Sequence, residues 1–404
     1  MSTFGEALAR LMTARRIGVR ELASRSHYSA GYISNLRSGR KQPSPQCGAE
    51  LDHILRAAGE LAALAASLPE HGHAPEPLGF PDLASAAHVQ PFALTDLAVT
   101  DEVSPVEHLI RLRSVISEHD NIFGPRTLIP VVRDQLALIH QLRDSRNGAD
   151  GSQLLMLQAQ YAETLAWLYQ DSTDFRSARF YLDRALEWAH MAGDLQWAAF
   201  VLARKSQLAG DMHDPASAVD LAEAAARLAR NATRLRAAGA AYQAHGHALA
   251  GNPAACLRTL DEAHEIAAGP DDHPSVPWAG WLSTRYVDIQ RARCMDVLGR
   301  HPEAARLFDE AITDIPPALR RDRGVYLARQ AVAYAGAADL DSASRAGIRA
   351  ARIARITGSG RIVVELRRLD TSLRRSKTGP ARDFHEAFAG LVPQQARAGR
   401  SRPA

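Results

Sequence analysis

The segment SAGYISNLRSGRKQPS, Ser29 to Ser44, combines one short apolar face with a polar and basic surround. Helical spacing puts Ile33 and Leu36 on the same side, because residues three apart share a face. Gly39 suits the C-terminal end of such a helix, since glycine accepts the left-handed conformation found there. We therefore predict a short helix that buries Ile33 and Leu36 and turns its other side away from the protein.

The sequence around this segment predicts a compact domain of short helices over residues 1–68. Thr3 is a suitable N-cap for the first helix, and Pro45 fits the first turn of a later element of one or two helices. The apolar residues of the first two helices recur at helical spacing. They are Phe4, Leu8 and Leu11 in FGEALARLMTARR, and Val19, Leu22 and Ala23 in GVRELASRS. We expect these faces to form one core with Ile33 and Leu36.

The second and third helices have the pattern of a helix-turn-helix. The small Ala23 permits a close helix crossing, and His27 occupies the turn position that needs a left-handed conformation. A DNA duplex requires the division seen here, because base edges are read from the helix and phosphates are held at its rim. Ser29 caps the helix, and its free N–H groups suit a phosphate. The outward and rim residues are Ala30, Gly31, Ser34, Asn35, Arg37, Arg40 and Lys41.

This ending resembles the XRE family, the lambda-repressor-like helix-turn-helix proteins, whose members run S-x-x-Y/F-I/L-S-x-L-x-x-G-x-x-x-P-S. The matching residues are Ser29, Tyr32, Ile33, Ser34, Leu36, Gly39, Pro43 and Ser44. Arg37 stands where the family often has an acidic residue, which adds positive charge. The resemblance implies base contacts from Ala30, Gly31, Ser34 and Asn35, and backbone contacts from Ser29, Ser38, Arg40 and Lys41.

Beyond Pro105, one helical motif recurs five times. The copies are DFRSARFYLDRALEWA from Asp174, DPASAVDLAEAAARLA from Asp214, NPAACLRTLDEAHEIA from Asn252, HPEAARLFDEAITDI from His301 and LDSASRAGIRAARIA from Leu340. After a polar or proline-bearing turn, a small residue recurs at Ala178, Ala218, Cys256, Ala305 and Ala343. Seven residues later come Ala185, Ala225, Ala263 and Ala350, with Ile312 as the exception. Small residues let neighbouring helices pack closely, so the pattern predicts an α-solenoid.

The repeat resembles the tetratricopeptide (TPR) repeat. The predicted fold class is therefore all-α, with an N-terminal helix-turn-helix domain followed by a TPR-like α-solenoid. The predicted domains are 1–68 for DNA binding, 69–105 for a proline-rich linker, 106–378 for a TPR-like sensor and dimerisation domain, and 379–404 for a C-terminal segment with a disordered tail. With NIFGPRTLIPVVRDQL and LAWLYQDSTDFRSARFYLDRALEWAHMAGD, the whole chain resembles actinobacterial transcription regulators that join an XRE domain to a TPR-like sensor.

A curved stack of helix pairs offers a groove for a peptide, a small ligand or a protein partner. Aligning the repeats puts five residues near its inner face: Glu163, Trp167, Gln207, His245 and Gln290. Taken singly, such residues are more often packing or solvated surface than ligand contacts, and a tryptophan such as Trp167 is more often core. The solenoid helices contain almost no asparagine, which related peptide-binding regulators carry along the groove.

Composition restricts the remaining functions. Of 404 residues, 46% are hydrophobic and 6% aromatic, which favours a folded, mainly helical protein. Residues 1–68 hold nine basic and five acidic side chains and residues 341–404 hold fourteen and five, whereas the middle is acidic. No apolar run would span a membrane and no signal-peptide pattern opens the chain, so we expect a cytoplasmic protein. We expect the three cysteines, Cys47, Cys256 and Cys294, to be reduced and buried, and we expect no metal or cofactor.

Two functions remain from these observations, and a third is disfavoured. The first is a sequence-specific transcription regulator that binds a double-stranded DNA operator as a homodimer and senses a ligand or partner with its solenoid. The second is a TPR-type protein-interaction scaffold whose helix-turn-helix domain is vestigial. An enzyme is disfavoured, because no Walker-type loop, HExxH or GxSxG motif occurs.

Overall fold

The computed structural model describes residues 3–15, 17–26, 28, 30–39, 41–43, 45–66, 104–144, 149–229, 233–269, 283–313 and 315–391. Within these residues all regular structure is α-helical and no strand occurs, which confirms the predicted all-α class. The chain divides into two compact units, residues 1–98 and 99–404. None of the described helices has both the length and the apolar content needed to span a membrane.

The described part of the first unit consists of five short helices. They are α1 (Phe4–Ala14), α2 (Val19–Arg25), α3 (Ala30–Arg37), α4 (Pro45–Leu55) and α5 (Glu60–Ala66). The first begins with a capping box, in which the Thr3 hydroxyl accepts from the Glu6 N–H and the Glu6 carboxylate accepts from the Thr3 N–H. The buried carboxylate of Asp52 accepts N–H bonds from Gly59, Leu61 and Ala62, and so fixes the start of α5.

One core holds the five helices together. Its fully buried side chains include Leu8, Leu22, Ile33, Leu36, Leu51 and Leu61. Gly5 is required where α1 meets the end of α3, because a Cβ there would lie 2.8 Å from the Leu36 carbonyl oxygen. Most of the linker predicted over 69–105 lies outside the described residues, and Pro105 begins the first helix of the second unit.

The described part of the second unit contains fourteen helices. Their bounds are α6 (Pro105–Phe123), α7 (Pro125–Asp144), α8 (Ala149–Asp171), α9 (Phe175–Met191), α10 (Leu195–Asp211), α11 (Pro215–Leu228), α12 (Thr233–Leu249), α13 (Pro253–Ala268), α14 (Thr284–Val297), α15 (His301–Thr313), α16 (Arg320–Gly336), α17 (Leu340–Thr357), α18 (Gly360–Leu373) and α19 (Gly379–Ala389). Consecutive helices pack against each other along the chain.

Similar turns connect many of these helices. A residue with positive φ precedes the next helix at Thr173, Gly193, His213, Gly251, Gly299 and Ala338. In five of these six turns the following residue is an Asp or Asn N-cap. The side-chain oxygen of this N-cap accepts a hydrogen bond, 2.9 to 3.1 Å long, from the N–H three residues later. The five N-caps are Asp174, Asp194, Asp214, Asn252 and Asp339. The polar turns of the repeated motif are therefore helix starts.

The small residues of the repeated motif lie in helix–helix contacts. Ala178, Ala218, Cys256, Ala305 and Ala343 are all at most 4% exposed. The second set, Ala185, Ala225, Ala263 and Ala350, is at most 1% exposed, and Ile312 is also buried. All three cysteines are buried free thiols. The prediction that these positions carry the packing is confirmed.

The predicted C-terminal segment, 379–404, begins with α19. This helix packs on α17 and buries Phe384 and Phe388 in the core of the second unit. Two phenylalanines four residues apart share one helical face, which explains the packing. The rest of the predicted tail, 392–404, lies outside the described residues.

The beginning and the end of the second unit touch each other. Helix α6 contacts α16 and α17, and α8 contacts α18. Ser359, just before α18, donates its hydroxyl to the Asp171 carboxylate at 2.8 Å. Gly124 between α6 and α7 lies against Thr357, because a Cβ at Gly124 would be 1.8 Å from the Thr357 carbonyl oxygen. The helices therefore form a closed circuit, and the contact between the two ends was not part of the curved stack that the sequence predicted.

Candidate functional site

Helix α3 is oriented by its apolar residues as the sequence predicted. Ile33 and Leu36 are fully buried, whereas Gly31 and Arg37 are exposed. Ser34 and Asn35 are half-buried between these two faces. The outer face of α3 therefore carries short polar side chains and one guanidinium.

The end of α3 adds a second cation to this face. Gly39 adopts φ +72°, and the Lys41 N–H then donates to the Asn35 carbonyl at 3.2 Å. The Lys41 ammonium lies 5.5 Å from the centre of the Tyr32 ring, and the exposed Ser38 donates its hydroxyl to the Asn35 carbonyl. The turn after α3 thus holds Lys41 beside the helix that carries Arg37.

Three of the nine predicted DNA-binding residues cannot be placed fully. Ser29 and Arg40 lie outside the described residues, as does His27 in the predicted turn. Ala30 begins α3, but its side chain is not described. The other six, Gly31, Ser34, Asn35, Arg37, Ser38 and Lys41, lie on α3 or in the turn after it.

Tyr32 of α3 lies in the core of the first unit with Tyr28 and Cys47. The rings of Tyr28 and Tyr32 lie 5.2 Å apart, and both residues are buried. Burial raises the pKa of the Cys47 thiol to about 11 and the pKa of the Tyr32 phenol well above its usual value. All three groups are therefore uncharged near neutral pH, so the charge at this face comes from the basic side chains.

The second unit contains a cavity of about 640 Å³ that is partly open to solvent. Its wall comes from α6, α8, α10, α14 and α16, with Arg361 from α18. Four of the five predicted inner-face residues line it: Glu163, Trp167, Gln207 and Gln290. The sequence therefore identified the correct faces of three of these helices.

His245 lies elsewhere. It is 3% exposed and packs against α10 where Gly210 leaves room, since a Cβ at Gly210 would lie 2.6 Å from the His245 Nδ1. Burial lowers the pKa of His245 well below its usual value, and the nearby Arg293 lowers it further. The residue is therefore a neutral packing group and does not line the cavity.

Trp167 is the centre of an arginine cluster in the cavity wall. The guanidinium carbons of Arg204 and Arg321 lie 4.6 Å from its ring centre, and that of Arg361 lies 5.0 Å away. The indole N–H donates to an Asp120 carboxylate oxygen at 3.0 Å. Sequence reasoning named Trp167 but missed the three arginines around it.

Carboxylates and amides satisfy most of these guanidinium groups. Arg204 donates to Glu163 at 2.9 Å and to Gln170 at 3.2 Å, and it also bonds Gln207. Arg321 pairs with Asp120 and with the neighbouring Asp322. Arg204 is 4% exposed and Glu163 is 7% exposed, so their pair is removed from water.

A second ionic cluster lies around Asp211 at the end of α10. Its carboxylate contacts Arg293 at 2.6 Å, and Arg329 and Arg361 at 3.9 Å each. Burial alone would raise the pKa of Asp211, but the three arginines outweigh it and hold the pKa well below its usual range. Burial raises the pKa of Asp171 to about 6, against the opposing effect of Arg361.

Gln290 and Arg113 are among the groups in the cavity wall with unused bonding capacity. The Oε1 atom of Gln290 is buried and has no hydrogen-bond partner among the described residues. Arg113 lies over Trp197, with its guanidinium 5.5 Å from the ring centre, and makes no ion pair or hydrogen bond with any described residue. Burial lowers the pKa of Arg113 from its usual value. In the described part of the chain, no group of His, Cys, Asp and Glu side chains is arranged to hold a metal ion.

The chain was also compared with known proteins. No protein-family model matches it, and no curated protein matches its sequence. The two candidate sites are therefore the outward face of α3 and the cavity of the second unit.

Proposed function

We propose that this chain is a sequence-specific DNA-binding transcription regulator, with a helix-turn-helix domain of XRE type in residues 1–68 and a TPR-like second unit that senses a ligand or partner. The observation that carries the proposal is the orientation of α3. Ile33 and Leu36 are fully buried. On the opposite face, Gly31 and Arg37 are exposed and Asn35 is half-buried. A recognition helix needs this separation of packing and reading faces.

The chemistry of the outward face supports DNA as the partner. Asn35 can bond the N6 and N7 atoms of an adenine with its side-chain amide. Arg37 and Lys41 supply cations beside it, where phosphates of the duplex backbone would lie. Gly31 offers no side chain, and no described atom lies within 4 Å of the position its Cβ would take, so a base edge could approach the backbone closely.

The repeated helix starts and buried small residues of the second unit support its TPR-like character. A single short recognition helix buries too little surface for tight, specific binding, so we expect two copies of the chain to bind a pair of half-sites. A ligand that favours one arrangement of the two copies would then change operator affinity.

The alternative is an interaction scaffold with a vestigial helix-turn-helix domain. Salt dependence of duplex binding separates the two, because each phosphate contact contributes a slope of about 0.9 in log affinity against log salt. We expect Arg37→Gln and Lys41→Gln each to weaken binding of the full chain to duplex DNA and to reduce this slope by about one. Arg56→Gln, a matched loss of one exposed charge after α4, serves as the control and should leave both unchanged.

The measurement is fluorescence anisotropy of a labelled duplex over a salt series, with size-exclusion chromatography to show that each variant is folded. Equal affinity and slope for wild type, Arg37→Gln and Lys41→Gln would favour the scaffold.

A further inference from the structure

The cavity of the second unit contains an unpaired cation. Arg113 reaches it from α6, is half-buried, and makes no ion pair or hydrogen bond with any described residue. The other buried arginines in the wall differ: Arg204 has Glu163, and Arg321 has Asp120 and Asp322. The Glu163 carboxylate favours the charged form of Arg113 through space but is itself bonded by Arg204. The Arg113 guanidinium therefore keeps donors that an anion in the cavity can satisfy.

An unpaired acceptor lines the same cavity. Gln290 is 2% exposed, and its Oε1 atom has no hydrogen-bond partner among the described residues. Buried amide oxygens are normally bonded, so this atom is suited to an O–H or N–H donor on a ligand. Gln207 is different, because its oxygen bonds Arg204 and its amide donates to the Tyr286 hydroxyl at 3.3 Å.

Apolar side chains line the cavity together with these polar and charged groups. The rings of Trp197 and Phe200 lie 5.0 Å apart, and Ile116, Ile289 and Val325 also line the cavity. A volume of about 640 Å³ is in the range of small-molecule sites, which are mostly apolar with a few placed polar groups. A cavity of this volume fits a small molecule better than an extended peptide.

We propose that this cavity binds one small organic anion that has an apolar body and an O–H or N–H donor. The anionic group pairs with Arg113, the body packs against Trp197 and Phe200, and the donor bonds the Gln290 oxygen. This anion would be the ligand of the sensing unit. Only its effect on operator affinity depends on the proposed function. Binding itself is measured without DNA, so the failure of one proposal is distinct from the failure of the other.

The probe is 8-anilinonaphthalene-1-sulfonate, an aromatic anion with one N–H donor whose fluorescence rises in apolar surroundings. N-phenyl-1-naphthylamine has the same rings and N–H but no charge. We expect the full chain to bind one sulfonate probe saturably. Arg113→Gln should weaken it by about tenfold or more, the effect of one lost charge-assisted bond, and should leave the neutral probe nearly unchanged.

Two variants complete the test. Arg111→Gln removes an exposed charge from the same helix outside the cavity and should change neither affinity. Gln290→Leu should weaken both probes, because both carry the N–H donor. If circular dichroism shows that Arg113→Gln is misfolded, the two probes are compared on the wild type in a salt series. Added salt should lower the affinity for the sulfonate probe and leave the affinity for the neutral probe unchanged.

Equal sulfonate affinity in folded Arg113→Gln would overturn the proposal. So would neutral-probe binding that falls as much as sulfonate binding, or an equal response of both probes to salt in the wild type. Saturable binding of a peptide library that is not displaced by the sulfonate, together with no saturable sulfonate binding, would overturn it in favour of a peptide site.

Discussion

Neutralising Glu163 removes the charge that balances a buried arginine. Glu163 accepts from Arg204 at 2.9 Å, and the two side chains are 9% and 4% exposed. Glu163→Gln keeps the size of the side chain but leaves the guanidinium without its carboxylate. Removing one partner of a buried pair costs about 3–5 kcal/mol of unfolding free energy, since a charge remains in the interior.

The surroundings of Arg204 place the effect at the lower end of that range. Its guanidinium also donates to the side-chain oxygen of Gln170 at 3.2 Å, bonds Gln207, and lies 4.6 Å from the Trp167 ring centre. These acceptors and the ring remain in the variant and stabilise part of the charge. We therefore expect Glu163→Gln to lower the unfolding free energy of the second unit by about 3 kcal/mol.

Urea unfolding followed by tryptophan fluorescence measures this change. All five tryptophans of the chain lie between residues 167 and 281, so the signal reports the second unit alone. Glu310→Gln is the matched control, because its pair with Arg306 is 60% exposed on both sides and should contribute about 0.5 kcal/mol or less. A Glu163→Gln variant within about 0.5 kcal/mol of wild type would refute the reasoning.

A double variant separates the buried charge from the lost contact. Arg204→Met in the Glu163→Gln background removes the uncompensated guanidinium and replaces it with an apolar chain of similar length. We expect it to be less destabilised than Glu163→Gln alone, because no buried charge is left without a carboxylate. A double variant that is less stable than the single variant would show that Arg204 is held by its amide partners instead.

Four further predictions concern three glycines and one buried acid. Gly5→Ala should destabilise the first unit by about 1–3 kcal/mol by thermal melting, because its Cβ would lie 2.8 Å from the Leu36 carbonyl oxygen. Gly31→Ala has open space and should stabilise the first unit slightly while weakening DNA binding, and unchanged DNA affinity would contradict a close approach at Gly31. Gly124→Ala should destabilise the second unit by more than about 3 kcal/mol, since the new Cβ would meet Thr357 and the φ of +79° disfavours alanine. The pKa of Asp171 is raised to about 6 in the folded state, so folding favours its protonated form. The stabilisation that Asp171 contributes therefore falls as the pH rises from about 4 to about 6. Asp171→Asn should remove that decline in a pH series of urea unfolding, and an identical pH profile would contradict the assignment.

Much of the fold is local and could be predicted from the sequence. The spacing of Ile33 and Leu36 fixed the buried side of α3, and both residues are fully buried. The repeated small residues identified the packed faces of the second unit, because a tight helix contact requires a small side chain wherever it recurs. Repeat alignment also placed Glu163, Trp167 and Gln290 around one cavity.

The closure of the helix circuit could not be predicted in this way. The bond between Ser359 and Asp171 joins residues 188 positions apart. Whether they meet depends on small rotations summed over many helix pairs, which no local pattern records. Arg113 was missed because α6 precedes the repeated motif and has no aligned position. Arg204 did offer a signal, since it is a cation within the apolar run WAAFVLARKSQLAG.

His245 was placed on the inner face by repeat alignment but packs against α10 at Gly210. Alignment gives the average direction of a helical position, whereas one glycine on a neighbouring helix can open a specific space for a large ring. Gly210 is visible in the sequence, but a glycine inside a helix does not by itself identify the side chain that packs against it.

Selection of duplexes from a random-sequence library by the full-length chain tests the central claim most directly. The account predicts enrichment of one short sequence as an inverted repeat, because two copies of α3 would read two half-sites. Asn35→Ala should lose the preference at one base pair in each half-site and keep the rest. A library that shows no enriched sequence after repeated selection, with folded protein at each round, would contradict the account.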